Sequence, residues 1–377
     1  MKKILCLSRA PLNYKAGIPV YCKSFYSNIK NAYVEFINID LTSSIERIYR
    51  KKINNEYLEI TFPTFFRIGT LGLSLEYFKY IFLNISKFNY VHLQHPDPFS
   101  AICILLSMIL NRKKLIVTWH ADVYKKYFIF FPIFIIVDFF VFLIAEKIIF
   151  LTQAHIQSSL LGKLSFFRKK TVIIPALLKE NIFYPKDFNK ISFPKEDEFF
   201  YLISIGRLVS YKGYEYALEA LSKINFKYKY FIIGKGPLKE KLKNRAKELK
   251  ISDKVEILGE VSEKKKCKYL MKSHVFLFPS ITKSEAYGLV QLEAMAFSLP
   301  VVNTFLNNGV NSLMPKNLCL TVKPRSSYEL MEAINKIRKN ENLFRRLNES
   351  SFKRLVSLDR KKVKKNINKL FINFKQL

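Results

Sequence analysis

Two short apolar runs, each ending in glycine and leading into a helical pattern, constrain the fold of this chain most. Residues 201–206 (Tyr-Leu-Ile-Ser-Ile-Gly) and 230–234 (Tyr-Phe-Ile-Ile-Gly) have the apolar, partly β-branched character of buried strands. A helical pattern follows the first run through Leu221, and Pro237 favours a helix that opens directly after the second. Repeated units of strand, loop and helix predict a doubly wound sheet, which binds ligands at the carboxyl ends of its strands.

Two cations lie in the loop that follows the first of these strands. Arg207 comes directly after Gly206, and Lys212 follows five positions later. Arginine offers a planar fork of donors and lysine a compact charge, and proteins use both to bind phosphates. The loop therefore predicts two cations that converge on one diphosphate. The Gly-x-Gly at residues 234–236 is weaker evidence, because a tight turn between strand and helix also explains it.

Two carboxylates flank the start of a third helical pattern. Residues 289–296 (Leu-Val-Gln-Leu-Glu-Ala-Met-Ala) favour a helix and contain no breaker. A helix that begins near Gly288 points free N–H groups and its positive dipole end at the space beside Glu285, which suits a phosphate. Glu285 and Glu293 can accept hydrogen bonds from sugar hydroxyls, so the motif predicts a nucleotide-sugar site. The alternative is an amphipathic helix whose two glutamates face water.

These motifs closely resemble those of the family 4 retaining glycosyltransferases of the GT-B fold, and the resemblance spans nearly the whole chain. It rests on Arg-x4-Lys-Gly at residues 207–213, Gly-x-Gly-Pro at 234–237 and Glu-x7-Glu at 285–293. The amino-acid sequence of residues 290–304 is most similar to that of family members that add hexoses, often mannose-type, to bacterial surface polysaccharides. The resemblance implies an α/β fold of two Rossmann-like doubly wound domains that face a central cleft. A C-terminal helix would cross back to the first domain.

The resemblance also implies roles at the donor diphosphate. Arg207 and Lys212 would bind the diphosphate and neutralise the leaving group. Backbone N–H groups of Gly288 and Leu289 would add to that binding. Gly206 and Gly234, at the ends of the two predicted strands, are further expected donor-binding residues.

The sugar, ribose and base of the donor have their own implied contacts. Glu285 would bind hydroxyls of the transferred sugar, and Glu293 would bind the ribose. The segment 259–262, which contains Val261, matches the part of the family that seats the nucleobase. Two departures affect loops rather than charged ligands: Ser298 stands where the family usually has glycine, and Pro175-Ala-Leu-Leu replaces a Pro-x-Gly motif.

The N-terminal half contributes three further predicted site residues. His120 follows the strand-like residues 115–119 and matches the family position that contacts the sugar near its reacting carbon. Asp122 either contacts the acceptor or caps the next helix. Gly17 lies in the loop after the first predicted strand, where relatives usually carry two glycines, and the first of these is Ala16 here. His92, His155 and His274 are expected to be structural.

Length and composition agree with two domains in a reducing compartment. The 377 residues allow two cores, and the mixed charges and prolines of residues 179–198 favour a boundary there. The predicted domains are 1–178 for the acceptor, 179–355 for the donor, and a crossover helix at 356–377 that packs on the first domain. Five cysteines stand singly without metal or redox spacing, and the few apolar residues before Arg9 do not make a signal peptide. We therefore expect a cytoplasmic protein.

The formal net charge of +33 predicts an anionic partner. No zinc-finger spacing, aromatic RNA-binding signature or basic zipper accompanies it, so nucleic acid is not expected. Anionic lipid headgroups attract basic surfaces, and we expect peripheral association with the inner face of the plasma membrane. The apolar segment 128–145 carries one charge, Asp138, and is interpreted as a helix that is partly core and partly dipped into the membrane interface. A transmembrane helix is the alternative.

The predicted reaction is transfer of a hexose, with retention, from a GDP- or UDP-linked sugar to a hydroxyl of a lipid-linked glycan in surface-polysaccharide biosynthesis. No cofactor or metal is expected, because the chain has no Asp-x-Asp motif. Two alternatives belong to other classes. One is a GT-B nucleotide-sugar epimerase, and the other is a non-enzymatic basic protein that binds membrane surfaces.

Overall fold

The computed structural model describes residues 1–14, 17–40, 45–68, 71–111, 113–122, 131–178, 192–358 and 360–371. The chain divides into two compact units. Met1–Leu177 and Arg360–Leu377 form the first unit, and Leu178–Asp359 form the second. The boundaries predicted from the sequence follow residues 178 and 355.

The first unit is built on a parallel sheet. Its strands in the described residues are β1 (Lys2–Leu7), β2 (Ala32–Ile39), β3 (Tyr49–Lys52), β4 (Tyr57–Phe62), β5 (Phe66–Ile68), β6 (Leu71–Leu73), β7 (Tyr90–His95), β8 (Lys114–Trp119), β9 (Lys147–Phe150) and β10 (Thr171–Ile173). Within the described part of the chain, eight of them form one sheet in the order β10-β9-β8-β7-β1-β2-β4-β3, and β5 pairs with β6 separately. The eight-stranded sheet is parallel except for β3, which runs antiparallel to β4.

Helices cover this sheet and bury its apolar strands. They are α1 (Gly17–Tyr26), α2 (Leu75–Asn84), α3 (Pro98–Leu110), α4 (Phe131–Ile144) and α5 (Gln153–Ser158), with short 3-10 helices at Ile85–Lys87 and Ser165–Lys170. The sequence fixes where two of them start: the side chains of Ser74 and Asp97 accept hydrogen bonds from the first turns of α2 and α3. A core of strand and helix residues that includes Leu93, Val117 and Phe142 lies beneath α2, α3 and α4.

The second unit repeats the architecture. Its strands are β11 (Phe200–Ile205), β12 (Tyr228–Ile233), β13 (Val255–Gly259), β14 (Val275–Phe278), β15 (Val301–Thr304) and β16 (Leu320–Val322). In the described residues they form one sheet in the order β13-β12-β11-β14-β15-β16, and every pairing is parallel. Strands buried on both faces explain the continuous apolar runs in the sequence. The predicted doubly wound sheets are confirmed in both units.

The helices of the second unit follow its strands. They are α6 (Tyr214–Leu221), α7 (Lys239–Glu248), α8 (Glu263–Lys272), α9 (Leu289–Ala296), α10 (Gly309–Leu313), α11 (Ser327–Lys339) and α12 (Glu341–Ser357), and the 3-10 helix Ser210–Lys212 precedes α6. The expected ends of the helical patterns at Leu221 and Ala296 are confirmed. The prediction that Pro237 opens a helix was wrong, because α7 begins at Lys239. The N–H of Leu238 instead donates to the carbonyl of Leu208, which keeps residues 236–238 in a turn.

The final helix, α13 (Arg360–Leu370), belongs to the first unit. Its Val363 and Ile367 are buried, and the ring of Phe371 contacts those of Phe25 and Tyr90. The side-chain amide of Asn368 also donates to the carbonyl of Asn28, at 2.7 Å. None of the helices in the described residues has the length and apolar character needed to cross a bilayer. The described part of the predicted segment 128–145 is α4 and the residue after it.

Candidate functional site

The backbones of two neighbouring strand ends meet closely in the second unit. Gly206 follows β11, and Gly234 follows β12. The two strands pair in parallel. A Cβ on Gly234 would collide with the carbonyl group of Gly206. A Cβ on Gly206 would lie 3.3 Å from Nζ of Lys212. Only glycines allow this approach, and the cleared space lies directly beside the Lys212 ammonium.

Lys212 and Glu285 form a mostly buried ion pair beside these glycines. The Nζ of Lys212 and Oε2 of Glu285 are within ion-pair distance, and the two side chains are 11% and 12% exposed. Lys212 ends the 3-10 helix Ser210–Lys212, and Glu285 lies in the loop before α9. The Lys212 ammonium also lies 5.2 Å from the ring centre of Phe278, at the end of β14. The structure thus brings together two residues that are separated by three strands in the sequence.

Arg207 is exposed, whereas Lys212 is buried. Both cations lie close enough to Tyr211 to affect its hydroxyl: Lys212 and Arg207 lower the pKa of that hydroxyl, and Glu285 raises it. Burial is the largest effect and leaves the pKa of Tyr211 above its ordinary value. An exposed arginine and a buried lysine near one hydroxyl suit an anion that enters from solvent and stops at the lysine. Tyr211 was not singled out by the sequence patterns.

Helix α9 begins where the sequence predicts an anion site. Gly288 precedes its first residue, Leu289, and adopts a left-handed φ of 74° that a residue with a Cβ rarely takes. The edge of Phe278 packs against Gly288, and the same ring lies under the Lys212 ammonium. The start of α9 and the Lys212–Glu285 pair therefore share one packing partner.

Polar side chains hold the loop before α9 in place. The Asn308 amide donates to the carbonyl of Glu285 at 2.6 Å. Gln291 of α9 donates to the carbonyl of Val310 and accepts a hydrogen bond from Asn303 at 3.1 Å. Buried polar groups need such partners, and here the partners fix both the helix and the loop that carries Glu285.

Glu293 has a cationic partner that the sequence patterns did not identify. The Nζ of Lys266, on α8, lies 2.7 Å from Oε2 of Glu293, and the side chains are 13% and 14% exposed. Burial opposes the charge on Lys266, but attraction and hydrogen bonds to Glu293 and Glu263 together raise its pKa above the ordinary lysine value. Helix α8 starts four residues after Gly259, so Lys266 also adjoins the predicted nucleobase segment around Val261, which is half-buried.

His120 lies in the first unit, at the end of β8. Its Nε2 is 2.9 Å from Oε1 of Gln94, so the neutral ring carries its proton on Nε2. The Gln94 amide lies 3.2 Å from Nε2 of His92, whose Nδ1 is 2.6 Å from the hydroxyl of Tyr26. Burial, with smaller contributions from three neighbouring histidines, holds the pKa of His120 well below its ordinary value. His120 is therefore neutral at pH 7.

The contacts of Asp122 lie within the first unit. Its Oδ1 accepts hydrogen bonds from Trp119 Nε1 at 2.8 Å and from the Ser159 hydroxyl at 3.1 Å, and Oδ2 accepts one from the N–H of Leu160. Burial raises the pKa of Asp122 although these hydrogen bonds lower it. The contacts join β8 to the turn after α5, and residues 123–130, which precede α4, lie outside the described residues.

Gly17 is the predicted donor-binding glycine of the first unit. It is the first residue of α1 and is exposed, with open space around its Cβ position. Ala16 lies outside the described residues. Among the residues that the structure describes, no group of three or more His, Cys, Asp and Glu side chains could hold a metal ion. Among the predicted site residues, the structure brings one group of the second unit close together: Gly206, Arg207, Lys212, Gly234, Glu285, Gly288 and Leu289.

Comparison with protein families bears on these residues directly. Residues 185–354 match the family described as glycosyl transferases group 1. The match covers nearly the whole of the second unit. The matched segment contains every predicted donor-site residue of the second unit.

Relatives and solved structures extend the likeness. The O-antigen chain mannosyltransferase C of Escherichia coli is 26% identical over 196 residues, 51% of each chain. Sucrose-phosphate synthase of Thermosynechococcus elongatus has a TM-score of 0.78 at 16% identity over 98% of both chains. Anabaena HepE, solved with UDP-glucose, has a TM-score of 0.73 at 14% identity, also over 98% of both.

The structural matches cover nearly the whole chain, whereas the sequence matches cover only part of it. The predicted GT-B fold, with its two Rossmann-like parallel-sheet units, is confirmed by the structural matches. The chain spans only about half to three-fifths of the length of the first curated relatives that it matches. Residues 185–354 of the second unit are therefore the part of the chain to which the family likeness applies most directly.

Proposed function

We propose that this protein is a retaining glycosyltransferase that moves a hexose from a nucleotide-diphosphate sugar to a hydroxyl of a lipid-linked glycan. The single observation that carries the proposal is the Lys212–Glu285 pair, placed beside the start of α9 within the segment that matches the glycosyl transferases group 1 family. A phosphate binds readily where a buried ammonium and the free N–H groups of a helix start converge. A sugar hydroxyl binds readily to the adjoining carboxylate.

The leaving group is stabilised by charge in this mechanism. As the bond between sugar and phosphate breaks, negative charge develops on the departing diphosphate. Lys212, Arg207 and the N–H groups at Leu289 stabilise that charge. These groups are already positioned before the bond breaks, so the protein needs little reorganisation during the reaction. The acceptor hydroxyl attacks from the face of the departing phosphate, which retains the configuration, and a phosphate oxygen takes its proton. No metal is invoked, because the two cations neutralise the leaving group.

The carboxylates position the donor rather than attack it. Glu285 holds hydroxyls of the transferred sugar, and its ion pair with Lys212 fixes its orientation. Glu293 holds the ribose, and Val261 lies at the base. His120 contributes a neutral ring near the sugar, with Gln94 fixing which nitrogen carries the proton. Donor discrimination between UDP and GDP then depends on the segment from Val261 to Lys266.

The acceptor and the place of action are the finer parts of the proposal. The mannosyltransferase relative acts on O-antigen chains according to its name, which supports a role in surface-polysaccharide biosynthesis. A lipid-linked acceptor lies at a membrane, so we place the enzyme on the cytoplasmic face of the inner membrane as a peripheral protein. The +33 charge supports attraction to anionic lipid. The matches named above give no support to the epimerase alternative.

Binding and turnover test the proposal separately. Thermal shifts with UDP-, GDP-, ADP- and dTDP-sugars should reveal one nucleotide class, since a ligand at a hundredfold excess over Kd stabilises by about 2.7 kcal/mol. Glu293→Ala should abolish the shift, and Glu240→Ala, an exposed glutamate of α7, should retain it. The absence of any shift with folded protein would favour the non-enzymatic alternative.

Turnover is measured as nucleotide diphosphate released with an acceptor present. Lys212→Ala should lower kcat by about 10²–10³-fold, which is typical for loss of one donor to a developing anion. The exposed Lys243→Ala is the matched control. Release of free nucleotide diphosphate without any acceptor, or near-normal kcat in Lys212→Ala, would contradict the mechanism.

A further inference from the structure

Helices α3 and α4 of the first unit bury apolar residues such as Ile104 and Phe142 in the core, but they bury their polar residues as well and expose large apolar residues on the outer side. Ser100 and Ser107 of α3 are fully buried, and Asp138, the one charged residue of α4, is 2% exposed. Oδ1 of Asp138 lies 3.1 Å from Nε2 of the buried His95. A helix on the surface of a water-soluble domain normally exposes its polar residues instead.

The outward residues of the two helices are large and apolar. On α3, Leu106 is 48% exposed, Ile109 75% and Leu110 69%. On α4, Ile133 is 54% exposed, Ile136 55% and Phe140 48%. Isolated apolar residues are ordinary on a surface, but a run of them along two helices marks an interaction site.

The two helices are neighbours, so these residues belong to one surface. Helix α3 packs beside α4, and the Phe139 ring of α4 contacts Phe167 in the 3-10 helix Ser165–Lys170. The same 3-10 helix exposes Phe166. We call the outward residues of α3 and α4 the apolar face. Neither helix carries an acidic residue on this face, because the acidic side chain of α4 points inward.

Cations border the apolar face. Arg168, Lys169 and Lys170 follow one another in the 3-10 helix beside α4, and Lys170 Nζ donates to the carbonyl of Leu143 at 2.5 Å. An apolar surface with a cationic border is complementary to an anionic bilayer, whose headgroups attract the cations while the apolar side chains enter the acyl boundary. A second copy of the chain would instead bring two cationic borders together, which like-charge repulsion opposes.

We propose that the apolar face docks the first unit on an anionic lipid bilayer, with α3 and α4 parallel to the membrane plane. Helix α4 has 14 residues and is about 21 Å long, too short for a hydrocarbon core of about 30 Å. It therefore lies in the interface. This inference names the surface behind the peripheral location proposed above, and it does not depend on the donor site.

Vesicle co-sedimentation tests the docking surface. The full chain should bind vesicles of phosphatidylglycerol and phosphatidylcholine. The variant Ile109→Gln/Ile136→Gln should bind them at least tenfold more weakly, because two exposed isoleucines lose their burial in the acyl boundary. The control Val356→Gln changes a residue of α12 that is 66% exposed and should bind like the wild type. Removing Arg168 and Lys169 as Arg168→Gln/Lys169→Gln should weaken binding about fivefold per cation.

Three outcomes would overturn the proposal. One is wild-type binding by Ile109→Gln/Ile136→Gln, which would leave charge alone as the cause. The second is absence of vesicle binding by the wild type. The third is dimerisation in solution that the same double variant abolishes, which would make the face a contact between copies. The nucleotide-sugar thermal shift should be equal in wild type and double variant, so loss of vesicle binding and failure of the proposed activity are distinguishable.

Discussion

The ammonium of Lys266 lies 2.7 Å from the carboxylate of Glu293, and both side chains are about six-sevenths buried. The pair joins α8, which directly follows the predicted base segment 259–262, to α9, which carries the predicted ribose contact. The Lys212–Glu285 pair is built in the same way, with a lysine beside each carboxylate of the Glu-x7-Glu motif. A carboxylate that is paired with a buried ammonium holds one orientation. Each lysine therefore prepares its glutamate to accept hydrogen bonds from a hydroxyl.

Replacement of Lys266 by alanine should weaken nucleotide-sugar binding about tenfold. Loss of a hydrogen bond to a charged group costs about 1.5 kcal/mol, and Glu293 would lose the partner that fixes its orientation. Isothermal titration with the nucleotide class found by thermal shift measures the change. Lys266→Arg should restore most of the affinity. Lys264→Ala, on the exposed side of the same helix, is the control, and unchanged or tighter binding by Lys266→Ala would refute the assignment.

Replacement of Gln94 by glutamate should change the pH dependence of kcat. A carboxylate 2.9 Å from Nε2 favours the charged imidazolium, so it should raise the pKa of His120 from its lowered native value. Activity of the variant should then fall as the pH drops below about 7, where the wild type stays flat. Thr118→Val removes the hydroxyl 2.8 Å from His92 Nε2 but leaves the Gln94–His120 bond, so it serves as control. Identical pH profiles for Gln94→Glu and wild type would remove His120 from the mechanism.

Replacement of Ser298 by glycine should stabilise the second unit by about 0.5–1 kcal/mol. Ser298 adopts a left-handed φ of 53°, which costs a residue with a Cβ about 1–2 kcal/mol. The greater freedom of glycine in the unfolded chain offsets part of the gain. Urea unfolding measures the difference. Ser298→Ala keeps the Cβ and should give no such gain, and equal stability of the glycine and alanine variants would argue against strain at this turn.

Acid should destabilise the first unit more than the second. Burial lowers the pKa of His92 to about 3 and that of His155 to about 4, and it also lowers the pKa of His120. Unfolded histidine has a pKa of about 6.5, so below that pH the unfolded state binds more protons and stability falls. Between pH 7.5 and 5.5 His92 and His155 together should remove about 2.7 kcal/mol from the first unit, and His120 adds to this loss in the same direction. In the second unit, burial and Arg338 lower the pKa of His274 to about 4, which removes about 1.4 kcal/mol.

Fluorescence can follow the first unit alone, because Trp119 is the one tryptophan of the chain and lies in β8. Its urea midpoint should fall between pH 7.5 and 5.5 by more than the midpoint of a probe attached to the second unit. The buried carboxyls of Asp97 and Asp122, whose pKa values are raised, act in the opposite direction only when the pH nears their own titration. A pH-independent midpoint would contradict the buried, neutral state of these histidines.

Sequence patterns predicted the strands and most helix ends because period and glycine position are local properties. The start of α9 at Leu289 follows from Gly288, which takes a positive φ that glycine tolerates. The partner of Glu293 was not predictable in the same way. Lys266 is the third of three consecutive lysines, and only the phase of α8 decides which of them reaches α9.

The N-terminal half was harder to predict for a related reason. Gln94 gains its place beside His120 through the pairing of β7 with β8, which joins residues far apart in the chain. Asp138 illustrates the same limit. A charge in an apolar run suggests an exposed or interrupted helix, but His95 on β7 gives this carboxylate a buried partner. Patterns within one element do not contain such contacts.

The first unit is made of two stretches of chain, and its last helix comes after the whole of the second unit. On the ribosome, where the chain emerges from its N-terminus at about 5–20 residues per second, the second unit is therefore complete before α13 is made. Until then Phe25 and Tyr90 lack the Phe371 ring that covers them. The unit whose translation begins first is the one that finishes folding last, so a nascent chain holds an open aromatic surface throughout synthesis of the second unit.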